Sequence, residues 1–150
     1  STSILPSGGE FVVAIFAPVL NIATTLIGFF DTSSSTPPVD SATLLFPETL
    51  SVWGRTSSNS VSGTTTTSYL TTANTYYRGL VQYNNIASSV SFFLYDTNDN
   101  LLWQDSLSSN IGTITGRETG AGVITTTPNG LDNCINLDLI GIGSNKRLTR

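Results

Sequence analysis

Between Glu10 and Asp31 the chain reads FVVAIFAPVLNIATTLIGFF, twenty residues without a charge. Such a run is long enough to span a bilayer as a helix. Pro18 would break that helix near its middle, and Asn21, Thr24 and Thr25 interrupt the apolar surface. The run is also rich in β-branched and aromatic residues, which suit a pleated surface. The pattern therefore predicts two strands, near 10–17 and 19–30, parted at Pro18, each apolar on both faces and so covered on both.

A Ser/Thr/Pro loop follows at 31–41 (DTSSSTPPVDS). Beyond it, short apolar-polar runs recur at a spacing typical of sandwiches. They predict strands near 42–46, 49–54, 60–70, 75–83, 86–95, 101–107, 110–115, 121–127 and 133–142. Turn-forming residues separate them, among them Asn84-Asn85 and Pro128-Asn129-Gly130. TGRETGAG, 115–122, reads as an exposed loop. No stretch after residue 30 repeats at 3.6 residues. About ten short strands in one 150-residue domain predict an all-β fold: an antiparallel β-sandwich, jelly-roll-like. In that domain, residues 1–30 form an apolar N-terminal segment able to pair across a subunit interface.

The hairpin VSFFLYDTNDNLLWQD, 90–105, carries the one metal-like pattern. Asp96-Thr97-Asn98-Asp99-Asn100 opens like a calcium loop, D-x-[DN]-x-[DN]. Such a loop needs Gly at its sixth position and Glu at its twelfth. Those positions hold Leu101 and Leu107. A tight turn is the stronger reading, since Asn and Asp tolerate positive φ and bond their own backbone. A looser calcium site from Asp96, Asn98, Asp99 and Asn100 is the lesser one. A two-residue turn at Asn98-Asp99 would set Leu94 opposite Trp103; a three-residue loop would set Phe93 there.

Composition sharpens the picture. Charged residues make up 11% of the chain, under half the usual share. Ser and Thr together reach roughly 29%. A hydroxyl-rich surface loses less than a charged one on leaving water, which suits close packing between subunits. The net charge is −4, but Lys146, Arg147 and Arg150 all fall in the last five residues. The rest carries three Arg against ten acids, or −7, and should repel nucleic acid. Only that basic tail could touch a genome. Cys134 is alone, so no intrachain disulfide forms; it reads as a small buried apolar residue. The sequence starts at Ser1 rather than Met and holds no charged leader region, which suggests a trimmed product.

Catalytic motifs are missing. The chain has no His, which removes the usual general base. One Cys and no His make a zinc site improbable. Glu10, Glu48, Glu118 and seven Asp could in principle supply a glycosidase pair, but no spacing nominates two of them. The expectation is a protein that is not an enzyme and has no cofactor.

These features together point to a structural subunit of a symmetric homo-oligomer, first of all a virus coat or protruding domain. The assembly interface would be Phe11, Val13, Ile15, Leu20, Ile22, Leu26, Phe29 and Phe30, and partners would be copies of the chain and, through the tail, viral nucleic acid. One alternative is an extracellular filament or pilus subunit donating residues 11–30 as a strand or apolar helix. Another is a non-catalytic carbohydrate-binding or adhesin module, with a ligand face around Trp53, Tyr76, Tyr77 and Arg78 meeting a surface glycan. The expected location is a virion or an extracellular assembly, with no membrane span favoured.

Overall fold

The computed structural model describes residues 8–31, 38–84, 88–112, 120–126 and 135–145. They form eleven strands: β1 (Glu10–Ala17), β2 (Thr24–Phe30), β3 (Ser41–Phe46), β4 (Ser51–Ser58), β5 (Val61–Thr64), β6 (Tyr69–Leu70), β7 (Tyr77–Tyr83), β8 (Val90–Tyr95), β9 (Leu101–Leu107), β10 (Gly120–Thr126) and β11 (Asn136–Ser144). The described residues contain no helix, hence none long and apolar enough to cross a membrane.

The strands make two antiparallel sheets. One runs β11-β1-β7-β8-β9; the other runs β10-β2-β3-β4-β5, with β6 added beside β4. This is the expected antiparallel sandwich, jelly-roll-like in that the first and last strands of the described residues lie side by side. The chain crosses between sheets after β1, after β6, after β9 and after β10. Pro18 marks the first crossing, where its lack of an N–H is harmless. Its carbonyl accepts the Asn74 amide at 2.7 Å, which joins the first corner to the one before β7.

Period-two burial explains why these segments are strands. In β1, β7 and β8 alternate residues are buried and half-buried. Their inward residues, with those of β2, β3 and β4, form one core containing Phe16, Phe29, Leu44, Phe46, Val52, Tyr83, Phe92 and Leu94. Phe16 meets Phe46 edge-on at 5.8 Å, and Phe29 meets Tyr83 at 5.2 Å. Burying each such side chain stabilises the fold by ~1.5–3 kcal/mol before entropy is counted. Tyr83 is sealed in with Asp40 and Glu10 nearby, and burial first, then those two carboxylates, pushes its phenol far up.

Several expected boundaries shift. The strand expected at 19–30 starts only at Thr24, because residues 18–23 form the corner and Asn21 takes φ +56°. The run expected at 60–70 splits into β5 and β6, since Thr65 turns inward to bond β4: its Oγ1 accepts the Gly54 amide at 3.0 Å. The strand expected at 49–54 extends to Ser58 through its ladder to β5. Residues 110–112 are not extended, and the remainder of the strand expected there lies outside the described residues. Cys134 also lies outside them.

A polar clip ties the loop after β5 to β9 in the other sheet. Trp103 Nε1 donates to Thr67 Oγ1 at 3.1 Å, and Thr67 donates its hydroxyl and amide to Asp105 Oδ2 at 2.5 and 3.1 Å. Burial works against the Asp105 charge, but bonds from the Thr67 hydroxyl and the Ser106 and Thr67 amides outweigh it and lower its carboxyl. A carboxyl lowered in the fold contributes stability above its unfolded value, about 3.9, that is lost as the pH falls through the lower folded value. Asp105→Asn should therefore flatten the fall in Tm below about pH 4. Calorimetry at stepped pH checks this; an unchanged slope would show that the clip carries no charge-linked stability.

Candidate functional site

The ladders fix which side chains share the outer face of the six-stranded sheet. Ala42, Leu44, Phe46 and Val52 point into the core, and a Cβ on Gly54 would strike the ring of Phe92 in the opposite sheet. Their neighbours therefore point outward. One row across the sheet reads Ile124, Leu26, Leu45, Trp53; the next reads Gly122, Gly28, Thr43, Arg55, Thr64; the third reads Gly120, Phe30, Ser41, Ser57, Ser62. The middle row is small at three successive strands and forms the floor of a shallow trough that is covered at Gly28 and Thr43 and reached by solvent at Gly122, Arg55 and Thr64. Ile124, Leu26, Leu45 and Trp53 form one bank. Phe30 stands in the other, and its ring covers Gly122, whose Cβ would lie 2.9 Å from Phe30 Cζ.

Arg55 ends the trough. It is half-buried, and burial lowers its guanidinium from the usual value. Among the described residues it has no carboxylate partner. Arg78, on the opposite sheet, is closed off: it pairs with Asp99 at 2.9 Å and lies 4.3 Å from the Tyr95 ring centre. Beside Arg55, Thr43 Oγ1 and Ser41 Oγ are buried without a hydrogen-bond partner. Both residues are almost fully covered, at 0% and 2% exposure. Buried hydroxyls are normally bonded, so two orphans in adjacent rows of one trough stand out. Ser57, next to Ser41, is satisfied through the Val39 carbonyl at 3.2 Å. The strands of this sheet carry no Asp or Glu.

The residues singled out from sequence do not converge. Trp53 is on this trough. Tyr76 is exposed in the approach to β7. Tyr77 is a core residue, 5% exposed, whose hydroxyl accepts the Thr72 amide. Arg78 faces away on the other sheet. A single face of Trp53, Tyr76, Tyr77 and Arg78 is therefore corrected: strand alternation and sheet assignment separate them. The proposed interface residues also part company. Phe11, Val13 and Ile15 point out from the five-stranded sheet, beside Gln82, Leu80 and Arg78. Ile22 and Phe29 are in the core, Leu26 and Phe30 line the trough, and Leu20 is exposed at the first corner. Lys146, Arg147 and Arg150 lie outside the described residues.

The 96–100 segment is a turn. Asp96 Oδ1 accepts the Asn98 and Asn100 amides at 2.8 and 2.9 Å, and Oδ2 accepts the Asn100 side chain at 2.8 Å. These bonds, the Asn100 side chain's first, lower the Asp96 carboxyl. Asp99 takes φ +64° and gives its carboxylate to Arg78. Leu94 stands opposite Trp103, the two-residue register, with a bulge that sets Tyr95 against Leu101. Of the oxygens in the lesser calcium reading, both of Asp96 are thus already engaged in the turn and Oδ1 of Asp99 is engaged with Arg78. No group of three or more acidic, Cys or His side chains suited to a metal occurs among the described residues.

Sequence reasoning missed Arg55, Thr43, Ser41 and Gly28. The signal was available only in part: R-T-S-S after Trp53 looks like a polar strand end, and nothing local says which acid, if any, Arg55 meets.

Solved structures share this architecture. The SO2946 protein of Shewanella oneidensis MR-1, described as of unknown function, superposes with a TM-score of 0.69 at 18% identity over 89% of this chain. This chain spans 56% of the SO2946 chain's length. Galectin-Ib of Xenopus laevis superposes with a TM-score of 0.51 at 12% identity, covering 95% of each chain. The β-glucanase of Bacillus licheniformis does so at 0.51 and 14% identity, over 94% of this chain and 64% of its own. Likeness at these identities establishes the fold. No curated protein matches the sequence. The family model of the SO2946-like C-terminal domain matches residues 2–138, and the chain belongs to that family.

Proposed function

We propose that this domain is a non-catalytic carbohydrate-binding module whose ligand lies in the trough on the outer face of the six-stranded sheet. The observation that carries this reading is the pairing of half-buried Trp53 with an Arg55 that meets no acid among the described residues, beside the exposed Thr64. An indole offers a flat apolar surface to the C–H face of a sugar ring and a polar edge to its hydroxyls. An unpaired guanidinium supplies a polar contact that orients a ligand lying against the indole. Two proteins of shared fold, the galectin and the β-glucanase, are by name carbohydrate proteins, which supports the same choice.

This reading replaces the virus coat as the preferred one. The comparisons lend support to a binding module and none to a coat, a filament or a nucleic-acid partner. The absence of a carboxylate on the strands of this face favours binding over hydrolysis, since glycoside cleavage takes two acids across the bond.

Trp53→Ala is the direct test. On a glycan array followed by titration calorimetry, the wild-type chain should bind at least one oligosaccharide, and Trp53→Ala should weaken it about tenfold or more. Tyr76→Ala, outside the trough, should leave binding unchanged. Binding that survives Trp53→Ala and fails with Tyr76→Ala would move the site to the loop before β7.

A further inference from the structure

The four edge strands of the sandwich are not alike. An unpaired edge presents a row of main-chain donors and acceptors, which proteins blunt by shortness, charge, proline or cover. In the six-stranded sheet, β5 is four residues long and β10 is half-buried along most of its length. In the five-stranded sheet, β9 is tied through Asp105 to the loop at Thr67. β11 has nine residues, NLDLIGIGS, with no Lys, Arg or Pro and one charge, Asp138. Among the described residues only β1 pairs with it.

Both faces of β11 are apolar and open. Leu139 stands beside Ile15 on the outer face and is 49% exposed. Ile142 stands beside Val12 of the core, so it points into the sandwich, yet it is 39% exposed. An inward side chain reached by water means that the sandwich is unsealed on this flank. Strands apolar on both faces are normally covered on both.

We infer that a second copy of this chain seals the flank, the two β11 strands pairing antiparallel across a two-fold axis at Gly141. The Asn145 amide bonds the Gly9 carbonyl at 2.8 Å. Alternating back from there, Ile140 and Ile142 turn their amides and carbonyls to the free edge. The axis sets Ile140 of each copy opposite Ile142 of the other, which makes about four main-chain hydrogen bonds. It also sets Leu139 of each copy opposite Gly143 of the other. The ring of Phe11 lies over Gly143, where a Cβ would stand 2.5 Å from Phe11 Cζ, and that ring receives the leucine. A bulge beyond Leu139 ends the regular pairing there. The two Asp138 charges fall on either side of the axis, roughly 20 Å apart, so like charges do not face each other. The strand is thus self-complementary, as a two-fold contact requires. The flank measures roughly 30 Å along β11 and roughly 20 Å across the two sheets and their side chains, about 600 Å² per copy. The pair buries about 1,200 Å², the low end for a specific interface, so the dimer is weak and forms at micromolar concentrations. This inference stands apart from the carbohydrate reading, since β11 lies in the other sheet.

Sedimentation equilibrium of the full chain, from about 5 to about 500 μM, tests it. A monomer–dimer equilibrium with a Kd of about 10–100 μM is expected. Leu139→Lys changes an exposed side chain. It should weaken association about tenfold or more and leave the circular dichroism spectrum of the monomer unchanged. Leu70→Lys, exposed in β6, should leave association intact. Gly141→Cys, in a Cys134→Ser background, should cross-link to itself under oxidation, because residues facing each other across the axis stand about 4.5 Å apart at Cα. Should Leu139→Lys fail to fold, that cross-link decides. A monomer at every concentration, or a dimer that Leu139→Lys leaves intact, overturns the inference. Dimers that Leu139→Lys removes but that never cross-link in Gly141→Cys overturn the strand pairing.

Discussion

Phe92→Ala should destabilise the domain by about 3–5 kcal/mol, and Gly54→Ala by about 1–3 kcal/mol. Phe92 is fully buried in β8 and rests on β4 where Gly54 has no side chain. A Cβ at Gly54 would stand 2.3 Å from Phe92 Cδ2 and 2.6 Å from Cε2 and Cγ. The ring cannot step aside, because the core around it is close-packed and opens only at the cost of a void elsewhere. The two changes touch one contact, so their costs should not add. Gly54→Ala introduced into Phe92→Leu, whose side chain is more pliable and smaller, should cost less than it does in the wild type. Urea unfolding of the four proteins, read as a double-mutant cycle, measures the coupling. Additive costs would mean that the ring and the glycine do not meet as described.

Gly28→Ala is expected to cost about as much, roughly 3–5 kcal/mol, for a different reason. Gly28 lies mid-strand in β2 with φ +149°, a conformation that residues with a Cβ rarely adopt. Its Cβ would lie 2.4 Å from the Ala42 carbonyl oxygen and 2.9 Å from Thr43 Cα. Both obstacles are backbone, held by the ladders of β3 to β2 and to β4. Unlike the Gly54 case, no change of a neighbouring side chain can relieve this clash. Gly120→Ala is the control. Its Cβ would meet nothing within 4 Å, so its effect should stay within about 0.5 kcal/mol. Thermal unfolding by circular dichroism compares the two; equal Tm values would show that the floor of the trough tolerates a side chain.

Much of the architecture was legible because strand burial has period two. The strands expected at 10–17 and 101–107 match β1 and β9, and the one expected at 86–95 contains β8. Pro18 and the Asp/Asn tip at 96–100 were legible as breaks because their backbone chemistry is local. The failures have one cause. The pattern of residues 11–30 says that a segment is apolar on both faces; it does not say what covers each face. Phe29 and Leu26 look alike in sequence, yet Phe29 enters the shared core and Leu26 banks the trough. An assembly interface drawn from this segment therefore mixed residues with four different fates.

The candidate site shows the same division. Tyr77 and Arg78 are adjacent, so strand alternation alone sends them to opposite faces, and the expected ligand face could not have held both. Trp53 was legible as a large amphipathic side chain on a short strand. Arg55 was not, because its meaning lies in what surrounds it. An arginine paired like Arg78 is a structural clasp, whereas Arg55 faces only hydroxyls across its ladders. That difference depends on which strands become neighbours.

By itself the sequence determined the class of the fold, the strand-and-turn rhythm, the use of residues 96–100 as a turn and the lack of a His-based catalytic apparatus. Each of these follows from chemistry within a few residues: side-chain alternation, backbone dihedral preference and the inventory of side chains. Only the tertiary structure decided the trough. It is built from β10, β2, β3 and β4, with Gly122 contributed from nearly seventy residues beyond Arg55. Rows across a sheet are set by register between strands, and register is fixed by the packing of the whole sandwich.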